Sequence, residues 1–397
     1  MKVAHVITRM IIGGAQENTL YNCLDLANDF QDEVVLITGP TDGPEGRLLE
    51  RLTPAQRQAI SIKIIPTMQR SIHLLKDRTT YRDLRKFFSD FKPDVVHTHS
   101  AKAGILGRLA AWQNQVPVVI HSVHGAPFYP YQNRIEYWAY RWCEWYAAKR
   151  CHHLVSVADA MTQLMVDANV AAAAKFSTIY SGMEVQPFLE GHLQRASVRK
   201  ELGIAADDII IGKIARLAPL KGHEYLLQAA KGIIAKNPKV KFLLVGDGSL
   251  TDSIKATITQ MNLSDHFIFT GLVDPQQVPR MIAAMDIVVH TSLREGLARV
   301  LPQALISGLP VVSFDIDGAR EVCISGETGW LIPAKNTEQL QQKLLSLSNS
   351  PEDRQRMGRA GQCRFSRQFD HQFMTQQIRE LYQQLRSEAG ATTPQPT

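Results

Sequence analysis

The sequence lacks most of the features that would place it in a special class. No stretch approaches the roughly 20 consecutive apolar residues needed to cross a bilayer, so no membrane-spanning helix is expected. The opening MKVAHVIT runs straight into a strand pattern, without a basic segment leading a long apolar one. The expectation is a cytoplasmic protein with no secretory leader. Cysteine is sparse. Cys23, Cys143, Cys151, Cys323 and Cys363 are odd in number and form no CxxC pair, which reads as reduced packing thiols in a cytosolic chain. Charge of one sign is missing too: the balance is only +6, too mild to suggest a nucleic-acid partner, though it favours anionic substrates or an acidic membrane surface. No GxGxxG follows the first strand, which argues against a nicotinamide-dependent oxidoreductase.

What is present is long and ordinary in composition. At 397 residues, 45% apolar and 21% charged, the chain is too large for one core and predicts two globular domains. Strand patterns recur at residues 3–8, 33–38, 62–65, 94–99, 117–123 and 154–157, with helical patterns between several of them. This alternation implies an α/β fold with parallel sheets covered on both faces. Polar, helical material around 186–203 separates the halves, and the alternation restarts at Ile209. The expected division is an N-terminal domain over 1–195, a C-terminal domain over 196–365, a C-terminal helix over 366–387 that packs back on the first domain, and a disordered tail over 388–397.

The most informative stretch is 287–312, IVVHTSLREGLARVLPQALISGLPVV. A β-branched strand runs into a short polar loop and then a helical pattern closed by Gly308 and Pro310. Glu295 sits where the loop turns into helix, which leaves amides near Gly296, Leu297 and Ala298 free to hold an anion. Gln303 follows about two turns later on the same face. A carboxylate and an amide so spaced can grip separate hydroxyls of one ligand.

Other strand ends carry complementary groups. Gly13 and Gly14 follow the first strand, where a small loop lets backbone approach a phosphate. Arg216 closes the strand at 209–215 and Lys221 precedes the next helix, so both can reach a diphosphate, one as a fork and one as a point charge. Gly246-Asp247-Gly248 is a tight turn after another strand. His97, His99, His121 and His124 cluster at two strand ends. A metal site needs several converging ligands, and no cysteine or carboxylate joins these imidazoles, so no metal is expected. His124, followed by Gly125, is the one expected to face a ligand, where a neutral imidazole can orient a sugar hydroxyl. Asp315-Ile316-Asp317 matches a short DxD nucleotide motif but lies in the wrong half. Residues 128–150 hold three of the five tryptophans beside Arg134, Arg141, Lys149 and Arg150, which fits either a core helix covering the sheet or a membrane-surface helix. Phe128, Tyr129 and Tyr131 before it are placed to meet an acceptor.

Assembled, these motifs resemble the retaining glycosyltransferases of family 4. The matching residues are Gly13-Gly14-Ala15, Arg216 with Lys221-Gly222, Gly246-Asp247-Gly248, Glu295-Gly296 through Ala304 to Gly308 and Pro310-Val311-Val312, Gly318 to Val322, and Gly326 with Gly329. They span nearly the whole chain in order. The resemblance implies a GT-B fold, two Rossmann-like doubly wound domains facing a central cleft, with the acceptor side in the first domain and the nucleotide-sugar in the second. It implies that Gly14 approaches the donor diphosphate, that Arg216 and Lys221 neutralise it, that Glu295 holds sugar hydroxyls with the amides of Leu297 and Ala298 completing the phosphate site, and that His124 contacts the sugar near the reacting carbon. It implies no metal or other cofactor, no protein nucleophile, and a glycan or lipid-linked acceptor at the cytosolic membrane face in envelope-glycan synthesis, with a UDP-sugar as donor. Two positions depart from the family pattern. Gln303 stands where a second Glu grips the ribose, and Ser181-Gly182-Met183-Glu184 replaces the usual Asn-Gly-Ile-Asp. The alternatives are a nucleotide-sugar 2-epimerase of the same fold, for which the first half offers no additional acid–base carboxylate pair, and a non-catalytic scaffold, whose only support is Gln303.

Overall fold

In a computed structural model, which describes residues 1–41, 46–128 and 132–391, the chain forms two compact units. The first comprises Met1–Met183 and returns from Phe369; the second is Glu184–Gln368. Unit 1 is built on β1 (Lys2–Ile7), β2 (Glu33–Thr38), β3 (Ser61–Ile64), β4 (Val95–His99), β5 (Val118–Val123), β6 (His153–Ser156) and β7 (Phe176–Thr178), in the order β3-β2-β1-β4-β5-β6-β7. Unit 2 carries β8 (Ile209–Ile214), β9 (Val240–Val245), β10 (Phe267–Gly271), β11 (Ile287–His290), β12 (Val311–Phe314) and β13 (Gly329–Ile332), in the order β10-β9-β8-β11-β12-β13. Neighbouring strands in both sheets are parallel.

Both sheets are doubly wound. Their central strands read as nearly unbroken apolar runs because they are buried on both faces, whereas the edge strand β3 is largely exposed. In unit 1, Ile7, Leu36, Val95 and Val118 pack under the helices Gly14–Asn28 and His371–Ala391. In unit 2, Ile211, Phe242, Val289 and Phe314 pack with Leu226, Ile233, Leu340 and Leu344 of the covering helices. Strand order reverses between β1 and β4 and again between β8 and β11. In sheets of this kind, the crevice beyond the carboxyl ends at such a reversal is where ligands bind.

The structure moves the boundary expected at residue 195. The segment 184–201 belongs to unit 2 because Arg195 bonds the carbonyls of Ala283 and Met285 and pairs with Asp286 at 2.7 Å. Arg199 reaches the same carboxylate at 3.3 Å. The closing helix begins at His371 and lies on unit 1. Asp25 accepts from Thr375 at 2.8 Å and contacts His371 at 2.8 Å, and Arg379 pairs with Asp32 at 3.1 Å. This helix runs to Ala391, so residues 388–391 are helical rather than part of a disordered tail; 392–397 lie outside the described residues.

Candidate active site

In unit 2 the carboxyl ends of β8 and β11 bring the predicted residues together. Lys221 forms an ion pair with Glu295 across the two loops. His290 Nε2, at the end of β11, lies 3.6 Å from the same carboxylate oxygen. Burial alone would raise the Glu295 carboxyl, but the His290 contact and the Lys221 charge outweigh it and hold it at about 2. Arg216 is exposed, and its side chain is without a hydrogen bond or ion pair among the described residues.

Glycines and one imidazole set these loops. Gly222 has φ +64°, and a side chain there would meet the Thr291 carbonyl oxygen at 1.9 Å, so only glycine lets the Lys221 loop approach β11 so closely. Gly246, at φ +136°, approaches the Ala215 carbonyl in the same way, at 2.1 Å for an added Cβ. The turn is fastened by Leu217 N–H donating to the Asp247 carbonyl at 3.0 Å. His223 Nε2 faces the Arg216 carbonyl at 3.0 Å, so that nitrogen carries the proton, and burial lowers the ring to about 4.

The loop 291–299 differs from the sequence expectation in one respect. Helix starts at Val300 and runs only to Ile306, so Glu295 stands inside the loop rather than at its junction with the helix. The reason is local: Glu295 N–H donates to Asp317 at 2.6 Å and Gly318 N–H to the Gly296 carbonyl at 3.1 Å, which tie the segment to the neighbouring loop instead of winding it into a helical turn. The amides of Gly296, Leu297 and Ala298 still make no hydrogen bond among the described residues. They remain donors for an anion. Gln303 lies in the short helix, and its side-chain amide has no partner among the described residues. Asp315 is held by Arg320 in a fork at 2.8 and 2.9 Å, so the DxD pair is already engaged in loop contacts.

In unit 1 the β1/β4 reversal is lined with histidine. His5 Nδ1 lies 3.0 Å from His99 Nε2, and His99 Nδ1 lies 3.1 Å from His124 Nε2, forming a ladder of imidazoles from the sheet interior to the strand end. His97 is occupied separately, by the Tyr382 hydroxyl at 2.5 Å and Ser122 at 2.7 Å. His121 contacts Thr98 at 2.9 Å. Burial holds all five rings neutral, His124 at about 4 and His5 at about 3. His5, His97 and His99 are the only three His, Cys or acidic groups, among the described residues, with ligand atoms close enough to share a cation. His97 uses both nitrogens elsewhere. A cavity of about 40 Å³ opens beside His124, lined by Ser100, Ser122, Gly125 and Glu144 among others. Gly13 caps the helix Gly14–Asn28 after β1, its carbonyl accepting from Glu17 N–H at 2.9 Å.

One expectation for the first half needs correction, and one of two readings falls away. Phe128 is 2% exposed with its ring edge on Tyr137, a packing residue rather than an acceptor-facing one. Tyr129 and Tyr131 lie outside the described residues. The tryptophan helix Arg134–Ala148 is not a core helix with bulky groups turned inward. It buries Glu144, Ala147 and Ala148, with Glu144 paired to the buried Arg108 at 2.8 Å, and it leaves Ile135 80%, Trp138 54% and Trp142 59% exposed.

Lys213, on β8, escaped sequence reading altogether. It is 1% exposed and donates to Thr291 at 2.7 Å. A lone lysine in an apolar strand reads as a solvated edge, and its partner lies 78 residues away.

With this geometry in view, similarity to known proteins resolves the class. Residues 194–364 match the model of the glycosyl transferases group 1, and residues 13–182 match the glycosyl transferase 4-like domain. A galactosyltransferase of Escherichia coli, UDP-Gal:alpha-D-GlcNAc-diphosphoundecaprenol alpha-1,3-galactosyltransferase, is 31% identical over 84% of this chain and 84% of its own. The chain belongs to the group 1 glycosyltransferases. This glycosyltransferase draws on a nucleotide-sugar donor in glycan synthesis, which sets aside the epimerase and scaffold alternatives. Another relative, the capsular polysaccharide biosynthesis glycosyltransferase CapM of Staphylococcus aureus, is 24% identical over 80% of this chain and 84% of its own. The fold of this chain is GT-B: the structure of HepE from Anabaena in complex with UDP aligns with a TM-score of 0.81 at 22% identity, over 97% of this chain and 100% of that one. WaaG, a glycosyltransferase involved in lipopolysaccharide biosynthesis, aligns at 0.70 and 14% identity, over 96% and 99%. No described helix is long and apolar enough to cross a membrane.

Proposed function

We propose that this glycosyltransferase moves a sugar from a UDP-sugar, with retention of configuration, onto a lipid-linked or polysaccharide acceptor in envelope-glycan synthesis. The observation that carries the reading is the Lys221–Glu295 pair beside three unpartnered amides and the free Arg216 at the β8/β11 reversal. This is an anion site with a carboxylate set against it. The E. coli relative, named for a UDP-galactose donor and a diphosphoundecaprenol acceptor, supports the same choice of partners.

In this reading Arg216 and Lys221 hold the diphosphate, with the amides of Gly296, Leu297 and Ala298 as fixed donors whose orientation costs nothing as charge develops. Glu295, ionised across the physiological range, accepts from donor-sugar hydroxyls. Gln303 contacts the ribose through a neutral amide. Gly13, Gly14 and Gly246 let backbone approach the nucleotide. His124 contacts the sugar near its reacting carbon. The bond from the anomeric carbon to the diphosphate oxygen breaks while the acceptor oxygen bonds to that carbon from the same face. The acceptor's proton passes to the departing phosphate oxygen, so no protein nucleophile takes part. The charge on that phosphate is met by side chains and amides, and we assign the reaction no metal or other cofactor.

The acceptor side fits the cytosolic face of a membrane. The outward face of the helix Arg134–Ala148 presents Ile135, Trp138 and Trp142, with the Arg141 guanidinium 4.7 Å from the Trp138 ring. Exposed tryptophans flanked by cations are the composition that settles at a headgroup boundary.

The test is thermal stability of the purified protein against UDP-, GDP- and ADP-sugars, with and without EDTA. A ligand present at 100 times its dissociation constant adds about 2.7 kcal/mol, a shift of a few degrees. The expected result is stabilisation by a UDP-sugar that survives EDTA. Stabilisation that vanishes with EDTA, or appears only with another base, overturns the metal-free or the uridine assignment respectively.

A further inference from the structure

Lys213 is a costly residue where it stands. An ammonium removed from water needs several strong partners, yet among the described residues Lys213 Nζ has a single hydrogen bond, to the neutral hydroxyl of Thr291 at 2.7 Å. Thr291 is itself fully buried, and its hydroxyl donates onward to the Gly222 carbonyl at 2.7 Å. The amine thus fastens the residue that joins two loops. Gly222 follows Lys221 on one, and Thr291 begins the stretch leading to Glu295 on the other. A second tie, from Leu293 N–H to the Leu220 carbonyl at 2.8 Å, crosses the same gap.

The groups facing Lys213 leave its charge incomplete. Lys221, on the loop after β8, repels it, while Glu295 and Glu224 attract it from the loop after β11 and from the helix His223–Lys236. His290 of β11 and His223 of that helix also feel its charge, and burial lowers both. Desolvation dominates, and the amine falls to about 7. Glu295 is already paired with Lys221, and among the described residues no carboxylate forms an ion pair with the Lys213 amine.

We propose that Lys213 is a positioning residue of the donor site whose charge is completed by the substrate: the diphosphate bound by the loops above it draws one proton from solvent onto the Lys213 amine. This rests on the donor reading of Lys221 and Glu295. The proton forms the third N–H of the ammonium, and the buffer supplies it. Charged, the amine can only donate, so Thr291 must turn its own proton toward Gly222, and the two loops are locked in the arrangement that holds the nucleotide.

The experiment is titration calorimetry of UDP, and in parallel GDP, into the wild-type chain, Lys213→Met and Lys213→Arg. It is run at about pH 8, in HEPES and in Tris, whose different ionisation enthalpies reveal proton exchange. At this pH the nucleotide's own phosphates are already ionised. The wild type is expected to take up most of one proton per nucleotide. Lys213→Met takes up none and binds about tenfold more weakly or worse, while its melting temperature holds or rises, because an apolar side chain suits the buried position better. Lys213→Arg, permanently charged, recovers binding without proton uptake. A merely structural lysine gives the reverse: Lys213→Met melts lower and proton exchange is unchanged. Binding by Lys213→Met as tight as wild type, or with the same proton uptake, overturns the proposal. Nucleotide binding by the wild type without proton exchange overturns it and spares the donor site. Failure of the wild type to bind either nucleotide removes the donor reading and this inference with it.

Discussion

The two sheets have the same winding and the same kind of reversal, yet their carboxyl ends hold opposite chemistries. Beyond β1 and β4 lie imidazoles that burial keeps neutral, passing hydrogen bonds from His5 through His99 to His124. Beyond β8 and β11 lie Arg216, Lys221 and Glu295, with one ion pair and open amides, above the buried Lys213 of β8. The fold supplies a crevice and nothing more; the residues at the strand ends decide what it recognises. Neutral rings can orient hydroxyls without attracting a diphosphate. Fixed cations can hold a diphosphate but offer poor discrimination among hydroxyls. In the proposed reading the rings meet sugar hydroxyls and the cations meet the diphosphate.

The largest break in this comparison comes from the charged side. Glu295→Ala and Lys221→Ala are each expected to reduce transfer by about a hundredfold or more, the scale at which preorganised electrostatic contacts act. Far-ultraviolet circular dichroism of both variants should match the wild type, since the pair lies on loops above an intact core. Full activity in both would reduce the ion pair to a surface contact of little consequence and erase the contrast between the units.

Acid should separate the units by stability. His5, His97, His99, His121 and His124 all have folded pKa values lowered from 6.5 by burial. The unfolded chain therefore takes up protons first. Stability they contribute is complete above about pH 6.5 and is lost as pH falls toward 4, where His124 itself titrates. In unit 2, among the described histidines, His223 and His290 shift this way; Lys213 is lowered too, but its loss falls between 10.5 and about 7, above that window, and the Glu295 carboxyl, held at about 2, stays ionised through it. Lowering pH from 7 to 5 should destabilise unit 1 more than unit 2. Trp112, Trp138, Trp142 and Trp145 report on unit 1 and Trp330 on unit 2, so calorimetry alongside fluorescence of a Trp330→Phe variant can assign the transitions. Unit 2 melting first in acid would contradict the imidazole account.

This contrast is partly visible in the sequence. Long β-branched runs at 33–38, 118–123, 209–214 and 240–245 announce buried parallel strands because both faces need apolar side chains. The short edge strands β7 and β13, of three and four residues, carry too little pattern to be read. Glu295 and Lys221 are legible because each sits at a strand end beside glycine. The helix start at Val300 is not, since the hydrogen bond from Glu295 N–H to Asp317 is made 22 residues away and competes with a helical turn that local sequence favours. Lys213 and the ladder are hidden for the same reason. His5 meets His99 across 94 residues, and only the register of β1 against β4 brings them together.

The smallest change sharpens the comparison within unit 2. Gln303 presents an amide with no partner among the described residues, at the position where the sequence resemblance expects a carboxylate on the ribose. A carboxylate accepts hydrogen bonds from hydroxyls about twice as strongly as a neutral amide. Gln303→Glu should therefore tighten UDP binding, but only several-fold, because the added charge sits in the same site as a diphosphate and repels it. Raising salt should widen the advantage by screening that repulsion while leaving the short hydroxyl contact in place. Calorimetry of UDP against uridine at two ionic strengths separates the terms. Uridine, which has the ribose and no phosphate, should gain more from the substitution than UDP does. A Gln303→Glu variant that binds uridine no better than the wild type places the ribose elsewhere, and leaves the Lys221–Glu295 pair and the amides to define the anion half of the site alone.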